Sequence, residues 1–335
     1  MAAMDDFKKA VELINNTSSW LVTSHTRPDG DAVGCMKVFC EIAAQFGKNV
    51  KPLLLSPPAE WYKFIFDAPV PVLGNDVKPQ ELNADKFGKF DLVIIVDTNS
   101  YVQLVEFDKW LKTSNVPVLV IDHHLTGDGL GTVEIVDSTA AATGEIVLDL
   151  LKFAGWKITP SIAEALYIAI STDTGWFRFD NTDGRVMRNA AELIELGARP
   201  AEVYHKMYQS YSPARLKLLG KMLESFELHR DGKIALMFLL RCDFDSTGAT
   251  GTDTEEFVNE SQRIGSVEAS ALFVELKDGG FRCSLRSSGT VDVQKIAAKF
   301  GGGGHRVAAG VNLKGPQENA KKTILDELEK AFSNK

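Results

Sequence analysis

Three short apolar runs in the first 125 residues each stop abruptly on acidic or imidazole side chains. Trp20-Leu21-Val22-Thr23-Ser24 runs into His25, Leu92-Val93-Ile94-Ile95-Val96 stops at Asp97, and Val116-Pro117-Val118-Leu119-Val120-Ile121 stops at Asp122-His123-His124. The runs are short, rich in β-branched residues and unbroken rather than alternating, the pattern of strands buried on both faces of a parallel sheet. Open sheets of that kind hold their ligands at the carboxyl edges of the strands. Groups that are hard to bury thus stand where such a fold keeps its site.

Helical patterns separate the runs. Residues 4–16 place Phe7, Val11 and Ile14 on one side, and further helices are expected at about 32–46, 143–153 and 162–170, with strands at 50–55 and 133–136. Pro28 and Gly30 mark a tight loop over 25–31, and Ser138, Thr139 and Thr143 are candidates to cap the helix at 143. Strands alternating with helices predict an α/β fold with a doubly wound, mostly parallel sheet. From 185 to 220 the pattern is helical, interrupted at Gly197-Ala198-Arg199-Pro200 and Ser210-Tyr211-Ser212-Pro213. Strands at 225–228, 234–240, 268–276 and 281–287, with helices at 255–264, 293–300 and 317–332, predict a second, smaller α/β domain. The expected division is a first domain over 1–196, a helical connector over 197–220 and a second domain over 221–335.

Charge and cysteine content narrow the function. A formal charge of −8 argues against a coat for long nucleic acid, which needs many cationic contacts to phosphates. An anionic ligand must then be met by local cations or by metal. Four cysteines with no Cys-x-x-Cys pair fit small core residues in a reducing compartment. The charged first turns lack the apolar core of a signal peptide and no run reaches 18 apolar residues, so a cytoplasmic protein without membrane attachment is expected.

Four segments present metal-type ligands: His25, Asp29 and Asp31; Asp97; Asp122, His123 and His124; and Asp173 in Thr172-Asp173-Thr174-Gly175. For Asp29-x-Asp31 alone the bland alternative is a polar turn capping a helix. Taken together, the mixed imidazole and carboxylate set suits Mn²⁺, Fe²⁺, Co²⁺ or Zn²⁺ better than Ca²⁺. The carboxylates of Asp29, Asp31, Asp97 and Asp173 would balance two divalent cations.

These motifs, His25-x-x-x-Asp29-x-Asp31, Asp97 after an apolar strand, Asp122-His123-His124 and Asp173 in Thr-Asp-Thr-Gly, resemble in order the four motifs of DHH phosphoesterases. Gly302-Gly303-Gly304-His305-x-x-Ala308-Ala309-Gly310 looks like the signature of the DHH-associated C-terminal domain, with Gly301 one residue beyond the minimum pattern. The compact length is most similar to the nanoRNase group, which shares the plan of RecJ exonucleases. The resemblance implies that residues 1–196 form a DHH catalytic domain in which His25 and Asp29 hold one metal, and Asp31, His123 and Asp173 the other. Asp97 would bridge the two, His124 would face the substrate phosphate, and Asp122 would orient an imidazole. It further implies that Arg286 and His305, with the backbone of Gly302, Gly303 and Gly304, bind substrate; Arg263 and Arg306 are weaker candidates, equally read as surface charges.

The function the resemblance implies is metal-dependent hydrolysis of very short oligoribonucleotides (dinucleotides and nanoRNA) to mononucleotides, with removal of a phosphate from 3′-phosphoadenosine 5′-phosphate as a second activity. Two divalent cations, Mn²⁺ foremost, would supply hydroxide and stabilise the leaving oxygen, and His124 would neutralise phosphoryl charge or protonate the leaving group. A phosphodiesterase for cyclic dinucleotides or their linear products is the alternative, a nucleotide-binding sensor without catalysis a further one, and inorganic pyrophosphatase is disfavoured by the Gly302–Gly310 pattern. Short RNA and nucleotides are the expected partners, and a homodimer is compatible with this reading.

Overall fold

A computed structural model describes residues 4–83, 86–209 and 211–333. The chain divides into two compact units, Met1–Ser210 and Tyr211–Lys335. The first contains α1 (Met4–Asn16), β1 (Ser19–Thr23), α2 (Gly30–Gln45), β2 (Asn49–Pro52), α3 (Pro79–Asn83), β3 (Leu92–Val96), α4 (Phe107–Thr113), β4 (Val118–Asp122), β5 (Val133–Val136), α5 (Thr143–Ala154), α6 (Pro160–Asp173), α7 (Gly184–Glu195) and α8 (Pro200–Tyr208). Its five strands pair in parallel throughout, in the order β2-β1-β3-β4-β5.

Because successive side chains in a strand point to opposite faces, the unbroken apolar runs feed two cores. Trp20, Val22, Ile94 and Ile121 pack with Ile14, Met36, Phe39 and Ile168 on one face. Leu21, Val93, Ile95 and Val120 pack with Phe107 and Leu111 on the other. Chain order reverses between β1 and β3, and the carboxyl ends of the strands on either side of such a switch point form the crevice in which open α/β sheets bind ligands. His25 and Asp97 follow those two strands.

The second unit holds α9 (Pro213–Glu224), β6 (Glu227–His229), β7 (Ile234–Leu239), α10 (Arg241–Thr247), β8 (Ala269–Glu275), β9 (Phe281–Ser287), α11 (Val293–Ala298), β10 (Gly303–His305), β11 (Ala308–Leu313) and α12 (Gln317–Ser333). Its six strands run β10-β11-β9-β8-β7-β6, antiparallel except for the β7–β8 pair. Leu236, Phe238 and Phe273 face α11 and α12, and Met237, Leu239 and Leu272 face α9 and α10. Among the described residues, no helix is long and apolar enough to cross a membrane.

The fold class is the one the sequence predicts, and several boundaries differ. The strand expected over 50–55 ends at Pro52: Leu53 still gives its N–H to the Val22 carbonyl at 2.9 Å, but Leu54 then bridges to Val72 rather than to β1. The helix expected over 255–264 is a 3₁₀ segment, Phe257–Arg263, preceded by another at Gly251–Thr254 that the sequence pattern did not show. The helix expected to stop at Ile170 runs on to Asp173. None of Ser138, Thr139 and Thr143 caps α5: the N-cap is Ala142, and Thr139 is instead held by Asp137, whose Oδ1 accepts its N–H and hydroxyl. Ser210, in the interruption at 210–213, lies outside the described residues.

Candidate metal centre

Each ligand-type side chain in the first unit is fixed by the element that carries it. Asp29 caps α2, its Oδ1 accepting the N–H groups of Asp31 (3.0 Å) and Ala32 (3.1 Å). The capping turn and the ligand position therefore coincide. Asp31 lies in the first turn of α2, fully buried, and its carboxylate serves as a cap for a second helix. Ala142 gives α5 no capping side chain, and the N–H groups of Thr143 and Gly144 donate to Asp31 Oδ2 (2.6 Å) and Oδ1 (2.9 Å) instead. An anion there also meets the positive end of the α5 dipole.

Asp97 leaves β3 in a left-handed conformation (φ 62°), which an aspartate tolerates better than most residues, with its N–H on the carbonyl of Ile121 at 2.9 Å. Its Oδ2 lies 3.2 Å from His25 Nε2, and its Oδ1 lies 3.6 Å from His123 Nε2 and accepts the Thr143 hydroxyl at 3.1 Å. Asp173, the last residue of α6, puts Oδ2 3.5 Å from His123 Nε2. Asn181 donates its side-chain amide to the carbonyls of Asp173 and Ala141, both at 3.2 Å, tying the α6 terminus to the segment ahead of α5.

The imidazoles are oriented by what their other nitrogen does. His25 Nδ1 lies 2.8 Å from the Thr26 carbonyl and His123 Nδ1 3.3 Å from that of Ala140. A carbonyl can only accept, so Nδ1 carries a proton in both rings, and Nε2 is the nitrogen turned to the carboxylates and open to a metal in the neutral ring. His124 is held differently, its Nδ1 donating to Asp122 Oδ1 at 2.7 Å. That bond to a buried carboxylate is the largest influence pushing the His124 imidazole up to about 9.

The donors sort into groups whose ligand atoms lie within 4.8 Å of one another: His25, Asp29 and Asp97; Asp31, His123 and Asp173; and Asp97, His123 and His124. Burial, followed by repulsion from Asp97, Asp173 and Asp29, pushes Asp31 well above the usual carboxylate range. Burial and then Asp29 and Asp173 do the same to Asp97, and burial and Asp29 raise Asp173 to about 7. His123 is lowered by burial and then by His124. Such an array disfavours its own ionised form unless positive charge enters it. Two imidazoles and four carboxylates converge in a donor set that divalent cations fit, and the one cysteine beside them, Cys35, donates its thiol to Asp31 Oδ1 at 3.4 Å and belongs to none of the groups. His124 differs from the other two in which nitrogen it turns to the carboxylates: its Nδ1, 4.0 Å from Asp97 Oδ1, is the atom bonded to Asp122, whereas His25 and His123 present Nε2.

The C-terminal candidates lie in the second unit. Register places His305, Ala308, Arg286 and Ser270 in one row across β10, β11, β9 and β8. The Arg286 guanidinium donates to Asn259 Oδ1 and to the Leu285 carbonyl, both at 3.0 Å. The glycine run is not a free loop: Gly302 gives its N–H to Ala297, and Gly303 and Gly304 pair with Gly310 and Ala309. A Cβ on Gly302 or Gly304 would clash with the β11 backbone. Arg263 pairs with Glu260 at 2.7 Å and Arg306 reaches the Gly289 carbonyl at 3.4 Å. The His305 side chain lies outside the described residues.

Thr143, Gly144 and Asn181 are the contributors the sequence reading passed over. One signal was available: Ala140-Ala141-Ala142 precedes a helix start with no capping side chain, so the α5 amides had to find an acceptor elsewhere.

Residues 19–170 match the N-terminal domain model of the DHH family, and residues 231–334 match the DHHA1 domain. A bifunctional oligoribonuclease and PAP phosphatase of Thermus thermophilus is 30% identical over 322 residues, covering 92% of this chain and 90% of that protein. A cyclic-di-AMP phosphodiesterase of Listeria monocytogenes is 26% identical over 90% of this chain, which spans 46% of its length. The crystal structure of an exopolyphosphatase-related protein from Bacteroides fragilis superposes with a TM-score of 0.90 at 26% identity, covering 98% of this chain and 97% of that one.

Proposed function

We infer that this chain, which belongs to the DHH family and carries a DHHA1 domain, is a phosphoesterase that hydrolyses very short oligoribonucleotides to mononucleotides and dephosphorylates 3′-phosphoadenosine 5′-phosphate. The observation that carries this reading is the convergence of two donor groups, each with an imidazole, on the buried carboxylate of Asp97. The cyclic-dinucleotide alternative is not favoured, since the relative of that type is distant and more than twice as long as the matched segment.

In this reading His25 and Asp29 hold one divalent cation, Asp31, His123 and Asp173 the other, and Asp97 is shared between them; Mn²⁺ suits the mixed nitrogen and oxygen donors. When bound, the two cations supply a hydroxide nucleophile at neutral pH and stabilise charge on the phosphoryl and leaving oxygens. The side chains do the rest. His25 and His123 present Nε2 because backbone carbonyls hold their Nδ1 protons. His124, kept protonated by Asp122, meets negative charge on the phosphoryl group or passes a proton from Nε2 to the leaving oxygen. In the second unit Arg286 and His305 are the side chains we assign to a nucleotide phosphate, Gly302, Gly303 and Gly304 shaping the strand edge that carries His305, and contacts to phosphate read the substrate's end rather than its sequence. A cytoplasmic site of action goes with this substrate.

The test is incubation with Mn²⁺ and, separately, a labelled diribonucleotide, 3′-phosphoadenosine 5′-phosphate and a cyclic dinucleotide. Mononucleotide from the first and adenosine monophosphate from the second are expected. No product from either sinks the reading, and faster cleavage of the cyclic substrate would favour the alternative.

A further inference from the structure

The segment that follows Asp173 is built in a conformation that needs a reason. Gly175, Trp176 and Phe177 are three successive residues in the left-handed region, with φ of 57°, 58° and 61°. Glycine adopts it freely; a tryptophan and a phenylalanine do so at a cost, and such strain gathers at functional sites. The turn is held from within. Trp176 gives its N–H to the Ser171 carbonyl at 2.6 Å and its indole N–H to the Tyr208 hydroxyl at 2.7 Å. Its ring also packs edge-on against Tyr204 and Tyr167.

Phe177 packs inward against Tyr167, and Arg178 and Phe179 are exposed. Phe179 is 55% exposed, yet its ring is not loose. The far end of the ring lies over Gly175 so closely that a Cβ there would fall under 3.0 Å from Cζ, Cε1 and Cε2. Arg178 bonds the Gly175 carbonyl through Nε at 2.6 Å, and its guanidinium carbon sits 6.0 Å from the Phe179 ring centroid. Asn181 then returns the chain to the Asp173 carbonyl. Phe179 also gives its N–H to the Thr174 carbonyl at 3.1 Å, so its backbone lies beside the residue that follows the Asp173 ligand.

We propose that Phe179, flanked by Arg178, is the surface on which a nucleobase of the substrate stacks while the scissile phosphodiester lies at the Asp97 centre. A fixed, half-open aromatic face beside a guanidinium is what an unpaired base binds, and such stacking tolerates any base because each has a π-face. This rests on the nucleotide-hydrolase reading, and it assigns base recognition to the first domain. Gly175 serves the same end, since both its backbone angle and its missing Cβ are needed to lay the ring down.

The experiment measures binding of a non-hydrolysable phosphorothioate di-adenosine nucleotide to the full chain by calorimetry, alongside turnover of the ordinary dinucleotide. For Phe179→Ala the Kd and KM should rise roughly tenfold or more while kcat changes little, and Phe179→Tyr should restore most of the loss. The deficit should be much smaller for a dinucleotide whose base at the cleaved end is abasic. Unchanged affinity in Phe179→Ala, or an equal deficit on the abasic substrate, overturns the proposal. A wild-type chain that binds the analogue through Phe179 but hydrolyses nothing would defeat the hydrolase reading alone.

Discussion

At the residue scale the site was legible where chemistry and position conflict. An aspartate or histidine at the end of an all-apolar strand is costly unless it serves something, and that made His25, Asp97 and His123 stand out. Thr143 was not legible, because threonine at a helix start is ordinary; only the fold brings its hydroxyl to Asp97 Oδ1 at 3.1 Å. Two substitutions separate these roles. Asp97→Ala removes the carboxylate shared by both donor groups and should abolish dinucleotide hydrolysis; a variant keeping even a tenth of wild-type kcat would mean the bridge is misassigned. Thr143→Val is nearly isosteric and removes one donor to Asp97, so it should weaken cation affinity by about 10–100-fold, the usual effect of losing a group that orients a ligand. Titration calorimetry with Mn²⁺ checks this, and Thr143→Ser should stay near wild type.

At the element scale, strands with strong apolar patterning and helices with clear periodicity were readable, whereas β10 and β11 were not. Gly303-Gly304 and Ala308-Ala309-Gly310 carry no strand propensity, and they pair because β9 offers an edge. Helix contacts were equally hidden. A Cβ on Gly34 would sit 2.5 Å from the Ala165 carbonyl oxygen and 3.1 Å from Ala169 Cβ, so α2 and α6 touch backbone to backbone there. α2 brings Asp29 and Asp31, and α6 brings Asp173. Gly34→Ala should therefore cost about 1–3 kcal/mol in urea unfolding by overpacking, and lower metal affinity by spreading the two helices. A variant as stable as wild type would show that the helices yield without penalty. Asp91 guards the other end of the sheet, accepting the N–H groups of Ser18 and Ser19, both at 2.8 Å, and the Ser18 hydroxyl at 2.9 Å. Partial burial raises its carboxyl, and the N–H groups of Ser19 and Ser18 outweigh that, leaving it below the usual range. A depressed folded value means that the stabilisation is full above the unfolded value of about 3.9 and fades as pH falls through the folded one. Asp91→Asn should thus lose roughly 1 kcal/mol at pH 7, after allowance for its exposure, and the gap to wild type should close below about pH 4. A gap that persists at low pH would assign it to packing rather than charge.

At the scale of the whole molecule, the alternation of strands and helices announced the sheet, but the order β2-β1-β3-β4-β5 and the switch point it creates depend on which apolar runs pair, and that is not local information. The molecule also offers an internal probe. Trp20, Trp61, Trp110, Trp156 and Trp176 all fall in the first unit, so tryptophan fluorescence follows the unfolding of the domain that holds the candidate centre and is blind to the other. Without cations the buried carboxylates of Asp31 and Asp97 repel one another; bound cations would relieve that and favour the folded state alone. Mn²⁺ at about 100 times its Kd adds roughly 2.7 kcal/mol per site, which for a unit of this size raises the melting midpoint by roughly 5–10 °C for each site filled. A chelator should reverse the shift, and Asp97→Ala should remove most of it. Hydrogen exchange in β7, whose core partners all belong to the second unit, should stay unchanged, so that a protective effect spread over both units would point to cations binding elsewhere. A tryptophan-detected midpoint indifferent to Mn²⁺ would remove the cations from this site, and with them the reason for so many acids at the ends of apolar strands.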